Sequence, residues 1–238
     1  MEFNKNYLQL DKTQGQFYLY SKDEKSEYKK HESTTGKVTY RKYFDKGVTG
    51  TLDSVTIYES SYGKEISFSI LDGNNQYYAP IGIFDQRNNI NNYAESVIKF
   101  LPLLEKKQNI LLYPYRFTPE GEKYAKVGVS FTVNGEKIKP ALSNSYYNRE
   151  GDLVPGDIPA IKWVKKLGEN KPSAASLEAK DEYLLEQLEL AVSRLTWRTD
   201  SSAPREENKE EPLPQKPEAK KDQLVTNQQE DEEDDLPF

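Results

Sequence analysis

The sequence contains no cysteine and a single histidine, and these two shortages remove several kinds of chemistry. Without cysteine there can be no disulfide, no thiolate nucleophile and no zinc site built on sulfur ligands, and this composition suits a reducing cytoplasm. The one histidine, His31, lies in the polar run SKDEKSEYKKHESTTGK. A histidine in such a run is typical of a solvated loop rather than of a metal ligand or a general base.

Long apolar runs are also missing. No stretch of about 18 apolar residues exists, which is the length that a membrane-spanning helix needs. The first residues, MEFNKNYLQLDK, lack the apolar centre of a signal peptide. We therefore expect a soluble, unexported protein that contacts no membrane and works in the cytoplasm, or in the host cytoplasm if the protein is viral.

The familiar catalytic motifs are absent as well. The chain has no GxSxG, no GxxxxGK[ST] and no pair of histidines, so nucleophilic, phosphate-loop and zinc enzymes lose the groups they require. A metal-dependent nuclease built on carboxylates alone stays open, with nominal ligands Asp53, Glu65, Asp72 and Asp85. Each of these acids stands where a turn or a strand edge ordinarily places one. We expect no enzyme activity, no cofactor and no metal.

Charge is divided unevenly along the chain. Residues 200–238 hold 13 acids and 5 bases, a net of −8, and because the whole chain carries −6, residues 1–199 carry +2. Nucleic-acid-binding domains usually show a stronger basic balance than this. Any nucleic-acid site must therefore come from local clusters of basic residues.

Alternating apolar and polar residues predict a β-rich body. A strand pair joined by a polar loop comes first, the segment ESSYG separates the next two strands, and Asp72, Gly73 and Asn74 form a turn. The predicted strands cover residues 16–20, 37–44, 48–58, 64–71, 76–84, 109–118 and 123–133.

Two segments have the period of a helix. Ile90, Tyr93, Ala94 and Val97 begin a stripe that follows a possible cap at Asn88 or Asn89 and ends near Pro102. A second amphipathic helix covers 173–197, with an apolar stripe at Leu177, Leu184, Leu188, Ala191 and Leu195. It either packs on the domain or serves self-association or a partner.

The order of three strands, a helix and two strands is that of the OB-fold, a five-stranded Greek-key barrel whose open face binds oligonucleotides or oligosaccharides. We therefore predict an all-β fold with a few helices: an OB-fold domain with extra N-terminal strands over 1–168, and the C-terminal helix over 173–197. The segment 198–229 is rich in Pro, Glu, Lys and Gln and is expected to be a disordered linker. Residues 230–238 form an acidic tip.

Aromatic residues interleaved with bases favour binding of single-stranded nucleic acid, since bases stack on rings and phosphates pair with cations. In an alternating strand, Lys37, Arg41 and Tyr43 would share one face. Tyrosines that simply pack and lysines that are simply solvated are the competing explanation. The predicted DNA-binding residues are Lys37, Arg41, Lys42, Tyr43, Tyr58, Tyr62, Lys64, Tyr77, Tyr78, Arg87, Tyr113, Tyr115, Arg116, Lys123, Tyr124, Lys126 and Trp163.

The C-terminal sequence is EDEEDDLPF. Six acidic residues are followed by Leu236, Pro237 and Phe238. This sequence resembles the ending of bacterial and phage single-stranded DNA-binding proteins, which join an OB-fold body and a disordered linker to an acidic terminus ending Asp-Asp-(Leu/Ile)-Pro-Phe. The resemblance implies docking on replication, recombination and repair proteins, with the terminal ring in an apolar pocket and its carboxylate on a basic residue. The partner-binding residues it implies are Asp234, Asp235, Leu236, Pro237 and Phe238.

The body adds a likeness to the phage branch in GTLDSVTIYESSYGKEISFSILDG, where a Tyr-Gly-Lys turn leads into a strand ending in Asp-Gly. The longer body and the helix after Leu177 depart from the tetrameric bacterial type, so a monomer or dimer is favoured. The resemblance implies a bacteriophage protein that coats and protects single-stranded DNA without sequence preference. Two alternatives stay open: an adaptor or inhibitor that mimics such a tail to capture replication factors, and the metal-dependent nuclease.

Overall fold

The computed structural model of the chain describes residues 3–33, 35–166 and 169–196, without the side chain of Lys166. The predicted linker over 198–229, the acidic tip over 230–238 and the last residue of the predicted C-terminal helix lie outside these ranges. The strands within them are β1 (Asn4–Asp11), β2 (Gln16–Ser21), β3 (Lys29–Glu32), β4 (Val38–Phe44), β5 (Val48–Ser60), β6 (Gly63–Asp72), β7 (Asn75–Gly82), β8 (Asn109–Phe117), β9 (Lys126–Val133), β10 (Glu136–Lys137), β11 (Tyr146–Tyr147), β12 (Leu153–Val154), β13 (Trp163–Lys166) and β14 (Glu169–Pro172). The helices are α1 (Asn92–Phe100) and α2 (Ala174–Leu195), and a 3₁₀ turn covers Leu101–Leu103.

Ten of these strands form one mixed sheet in the order β10-β9-β8-β5-β6-β7-β1-β2-β4-β3, and β11–β12 and β13–β14 are separate hairpins. The neighbours in the large sheet are antiparallel except β1 and β7, which run parallel with Asn4 opposite Asn75. A β-rich fold with two helices is therefore confirmed for the described part of the chain. Within that part, no helix is both long and apolar enough to cross a membrane.

The sheet curls so that the turn between β1 and β2 reaches β8. Gly15 in this turn has a φ of +69°, and a Cβ at this position would lie only 2.4 Å from the backbone nitrogen of Arg116. Glycine is therefore required at this position for two reasons: the backbone is left-handed, and β8 lies too close for a side chain. The contact brings a hairpin from the start of the chain against a strand that follows it by about a hundred residues.

The core lies between the curled sheet and the helices. Ile66, Phe68 and Ile70 alternate along β6 and are fully buried, because strand residues two apart point to the same face. The ring of Phe131 on β9 lies 5.7 Å from that of Phe68 and 5.3 Å from that of Phe100 on α1. The same core includes residues of the N-terminal strands and of α2, so all of these elements fold as one body.

Helix α1 starts later than the sequence predicted. Asn91 caps it by accepting hydrogen bonds from the backbone N–H groups of Tyr93 and Ala94, whereas Asn88 adopts a positive φ in the preceding turn. The side chain of an N-cap asparagine satisfies N–H groups that have no partner inside the helix. The helix ends at Phe100, before the 3₁₀ turn that contains Pro102.

Helix α2 packs on its own domain. Leu184, Leu188, Ala191 and Leu195 are buried, as the predicted stripe requires, and Leu177 at the start of the stripe is half-buried. The side chains at its C-terminal end are also anchored, since Arg194 donates to two carbonyl oxygens of the 3₁₀ turn and Thr196 donates to a carbonyl oxygen of β5. The stripe is therefore used for packing within the chain.

Two N-terminal strands were not predicted. Strand β1 pairs with β2 and β7, and its Leu8 is buried in the core. Strand β3 lies inside the segment predicted as a polar loop and pairs with β4, with His31 opposite Thr39. The prediction that His31 is a solvated loop residue is wrong, because the ladder with β4 holds it on a strand where it is half-buried.

Candidate functional site

A cleft of about 840 Å³ opens between α1 and strands β8, β9 and β10. Aromatic rings form much of its wall, and lysines lie around it. The aromatic residues are Phe100, Tyr113, Tyr115 and Phe117, and the lysines are Lys99, Lys126, Lys137 and Lys139. Of the predicted DNA-binding residues, the cleft brings together Tyr113, Tyr115 and Lys126.

Strand β8 places three of the rings in a row. Tyr113, Tyr115 and Phe117 are two residues apart, so they point to one side of the strand, while Leu112 points into the core. Tyr113 is 37% exposed and Phe117 is 54% exposed. The ring of Tyr115 is half-buried and its centroid lies 5.9 Å from that of Phe117. The row therefore presents partly exposed aromatic surface to a ligand.

Small residues on β9 leave room for these rings. Ser130 lies opposite Tyr113, and Gly128 lies opposite Tyr115. A Cβ at Gly128 would be 2.7 Å from the hydroxyl oxygen of Tyr115 and 3.0 Å from that of Ser96 on α1. The glycine thus allows the Tyr115 ring to lie across β9 toward α1, which shapes this wall of the cleft.

Three lysines lie around the cleft with their charges accessible. Lys126 is about half exposed and forms a 2.7 Å ion pair with Glu122, which is also about half exposed. Lys137 and Lys139 are exposed, and neither takes part in an ion pair among the described residues. An exposed ion pair is weak in water, so the pair with Glu122 does not prevent Lys126 from binding an anionic ligand. All three ammonium groups are therefore available to such a ligand.

The fourth lysine of the cleft is neutralised in a buried network. The carboxylate of Glu95 on α1 accepts hydrogen bonds of 2.5 Å from Lys99 and from Lys180 on α2, and all three side chains are at most 16% exposed. Burial opposes ionisation of Glu95, but the charges and hydrogen bonds of Lys180 and Lys99 outweigh it and lower its pKa. Glu95 is therefore ionised at neutral pH and joins α2 to the wall of the cleft.

Arg41 and Tyr43 lie elsewhere, on β4, and they share one face of the strand as predicted. The Arg41 guanidinium lies 4.4 Å from the ring centroid of Tyr18 and 3.3 Å from the carboxylate of Asp11, which also accepts a hydrogen bond from Tyr43. The third residue predicted on this face, Lys37, precedes β4 and is not part of the strand. Arg41, Asp11 and Tyr18 border a second cleft of about 500 Å³ beside the β1–β2 turn, and the Arg41 side chain is held by protein contacts.

Lys42 and Tyr77 lie on the opposite face of the large sheet. Lys42 pairs with Glu27 at 2.5 Å. The Tyr77 ring packs edge-on against Phe44 at 5.6 Å, and burial raises its pKa. Tyr77 lies opposite Ile70, a core residue, so its ring contributes to packing and does not line the cleft.

Tyr58 and Tyr78 lie on the outer face of β5, β6 and β7. Tyr58 donates a hydrogen bond to Glu65, and Tyr78 stacks on Tyr7 with centroids 4.9 Å apart. The other predicted residues are dispersed over turns, at the start of β6, on the far side of β8 and on the β13–β14 hairpin. They are Tyr62, Lys64, Arg87, Arg116, Lys123, Tyr124 and Trp163.

Three of the four nominal carboxylate ligands, Asp85, Glu65 and Asp53, accept hydrogen bonds within the fold. Asp85 accepts hydrogen bonds from the backbone N–H groups of Asn89 and Arg87, which lower its pKa. Glu65 accepts from Tyr58, and Asp53 accepts from Ser69. In the described part of the chain, no three His, Asp or Glu side chains are grouped so that they could hold a metal ion.

Lys137 and Lys139 on the cleft and Tyr7 on the outer face were not predicted from the sequence. The dipeptide Asn134-Gly135 is a strong hairpin signal and could have predicted β10, which carries Lys137. The implied partner-binding residues, Asp234 to Phe238, lie outside the described ranges. No protein-family model, no curated protein and no solved structure matches the chain, so its function has to be inferred from these surfaces and from the C-terminal sequence.

Proposed function

We propose that the chain is a non-enzymatic single-stranded DNA-binding protein that coats exposed strands without sequence preference during phage DNA replication, recombination and repair. The observation that carries the proposal is the row of Tyr113, Tyr115 and Phe117 on β8 beside three accessible lysines. Bases stack on aromatic rings, and lysines neutralise phosphates. Residues two apart on a strand are separated by about 7 Å, a spacing that suits successive bases of an extended strand.

The sheet order supports a further part of the proposal, that β5 to β9 with α1 form an OB-type barrel. These elements follow the expected order of three strands, a helix and two strands. A barrel removes its open edges by pairing them. In the described residues, the edge of β7 is paired by β1, and the β1–β2 turn then reaches β8 through Gly15. The N-terminal strands thus complete the curl of the sheet.

The C-terminal residues supply the second part of the function. We propose that Phe238 and its α-carboxylate dock together on replication, recombination or repair proteins, while the preceding acids steer the encounter. An aromatic anchor, a terminal carboxylate and flanking charges make a compact recognition unit. A long linker rich in Pro, Glu and Lys lets this unit reach a partner while the domain holds DNA.

A gel-shift titration with single-stranded DNA, duplex DNA and RNA of one length, with and without Mg²⁺, tests the proposal. We expect a strong preference for the single DNA strand and no loss of substrate. Absence of binding to every nucleic acid would refute the proposal and favour the adaptor that mimics a tail. Shortening of the DNA only when Mg²⁺ is present would instead indicate the nuclease.

A further inference from the structure

The β13–β14 hairpin carries a tryptophan in solvent. Its two strands pair with each other and belong to neither of the other sheets. Trp163 is 65% exposed and Val164 is 46% exposed, so neither side chain holds the hairpin against the core. The indole ring is therefore available to a ligand.

Positive charge is concentrated in the same segment. Residues 162–172 hold four lysines and one glutamate, a net of +3, whereas residues 1–199 as a whole carry +2. Without this segment, that part of the chain would carry −1. The segment thus accounts for the whole positive excess, which favours an anionic ligand.

The two faces of the hairpin differ in charge. Trp163 and Lys165 are two residues apart on β13, so they point to one face, and their cross-strand neighbours are a proline and an asparagine. The one acid of the hairpin, Glu169, lies on the other face, where its carboxylate pairs with Lys171 at 2.9 Å. The face formed by Trp163 and Lys165, here called the Trp163 face, therefore offers a ring and a cation without a neighbouring acid in the hairpin.

The base of the hairpin is fixed to α2 near the cleft. The backbone N–H of Ser173 donates to the carbonyl oxygen of Lys162 at 2.7 Å, and the N–H of Lys162 donates to the hydroxyl of Ser176 at 3.1 Å. Lys180 follows Ser176 by about 6 Å along the helix, and it donates to Glu95, which lines the cleft. A DNA strand that leaves the cleft on the α1 side thus lies close to the hairpin.

The size of the Trp163 face favours a nucleotide over a protein. A stable protein interface takes about 20–30 residues from each partner, and each strand of this hairpin has four residues. One nucleotide needs one ring for its base and one cation for its phosphate. Trp163 and Lys165 are about 7 Å apart along the strand, which suits the two ends of a single nucleotide.

We propose that the Trp163 face is a second contact for single-stranded DNA, which holds a nucleotide of the strand that occupies the cleft. The base stacks on the indole of Trp163, and a phosphate pairs with the ammonium group of Lys165. The inference rests on the proposed function. It extends the DNA path beyond the β8 row to an element outside the large sheet.

Fluorescence anisotropy with labelled oligo-dT of about 16 nucleotides, the upper site size of one OB-fold, tests the contact. We expect Trp163→Ala to raise the dissociation constant about tenfold, through the loss of one stacked base. Val164→Ala, on the other face of β13, is the matched control and should leave it unchanged within about twofold. Lys165→Gln should raise it about threefold, as for an exposed charge pair, whereas Lys171→Gln should not.

A spectroscopic measurement on the full chain tests the same contact independently. The sequence has two tryptophans, so Trp197→Phe leaves Trp163 as the single indole. A base stacked on indole quenches its fluorescence, and we expect oligo-dT to quench Trp163 over the concentration range in which anisotropy reports binding.

Three outcomes would overturn the Trp163 face while the proposed function stands. They are an unquenched Trp163 in the DNA complex, an equal loss of affinity in Trp163→Ala and Val164→Ala, and quenching by an Asp- and Glu-rich peptide but not by DNA. The last would assign this face to a protein ligand. Failure of the unmodified protein to bind oligo-dT overturns both proposals.

Discussion

The replacement Tyr113→Ala is the most direct test of the cleft. Tyr113 is the first ring of the row on β8, and its backbone pairs with that of Ser130. The substitution removes the ring and leaves the β8–β9 ladder in place. Since Tyr113 is 37% exposed, its removal leaves no large cavity, and we expect a loss of less than about 1 kcal/mol in the free energy of unfolding.

The effect on binding should be larger than the effect on folding. Stacking of one base on one ring contributes about 1–3 kcal/mol by alanine substitution. Tyr115 and Phe117 remain in the row, so a value near the middle of this range, about 2 kcal/mol, is expected. This corresponds to a dissociation constant about 30-fold higher at 25 °C.

The chain offers a close control in Tyr147→Ala. Tyr147 is also a strand tyrosine, on β11, and is also 37% exposed, but it does not line the cleft. Anisotropy titrations of both variants with one single-stranded oligonucleotide at fixed salt give the comparison, and urea denaturation checks folding. Equal losses of DNA affinity in the two variants, or unchanged affinity in Tyr113→Ala, would refute the proposal that single-stranded DNA binds in this cleft.

Four further predictions concern other features. Binding should weaken with salt with a log-log slope of about −2, from roughly −0.7 for each phosphate neutralised by the three accessible lysines of the cleft. Tyr77→Ala should lower the free energy of unfolding by about 2 kcal/mol with little change in DNA affinity, because its ring packs on the core side of the sheet. Glu95→Gln should destabilise the domain by about 3 kcal/mol at pH 7, since it leaves two buried lysines without their counter-charge. Because the folded pKa of Glu95 is lowered, its stabilisation is present above its ordinary pKa of about 4.3 and is lost as the pH falls through the folded value. Deleting residues 230–238 should leave DNA binding intact or slightly tighter and abolish partner capture in pull-downs, and one residue appended after Phe238 should impair capture almost as much.

Each of these outcomes can be contradicted by a simple measurement. A salt slope much steeper than that of three phosphates would indicate a larger basic footprint than the cleft. Loss of DNA affinity in a folded Tyr77→Ala variant would place a base on the other face of the sheet. Equal urea stability of the unmodified protein and Glu95→Gln at pH 7 would show that the ion network contributes nothing, and full partner capture by the extended form would show that the terminal carboxylate is not recognised.

The strands that the sequence predicted well are those with one face in the core. In β6, Ile66, Phe68 and Ile70 alternate with polar residues and are fully buried, so local pattern and tertiary environment agree. Strand β3 has the sequence KKHE, which contains no apolar residue. Strand β1 contributes chiefly Leu8 to the core, and its place depends on pairing with residues about 70 positions away. Such pairing leaves no periodic pattern in the sequence.

The candidate site was predicted in part for a related reason. Alternation on β8 identifies Tyr113 and Tyr115 as residues of one face, but it does not show which element lies opposite them. The cleft exists because α1 and β10 border β8 and β9 in three dimensions. The same applies to Arg41, whose partner Asp11 lies on a strand that was not predicted. Composition indicates which residue types are available, whereas their grouping follows from long-range packing.

The parallel pairing of β1 with β7 also sets an order of events during synthesis. At about 5–20 residues per second, the ribosome needs several seconds to add the residues between Asn4 and its partner Asn75. During this interval the β1–β2 hairpin has an unpaired edge, and unpaired edges are where chains associate wrongly. In a crowded expression host, β1 of one copy can pair with β7 of another. We expect exchange of the N-terminal strand between copies to be the characteristic misassembly of this protein.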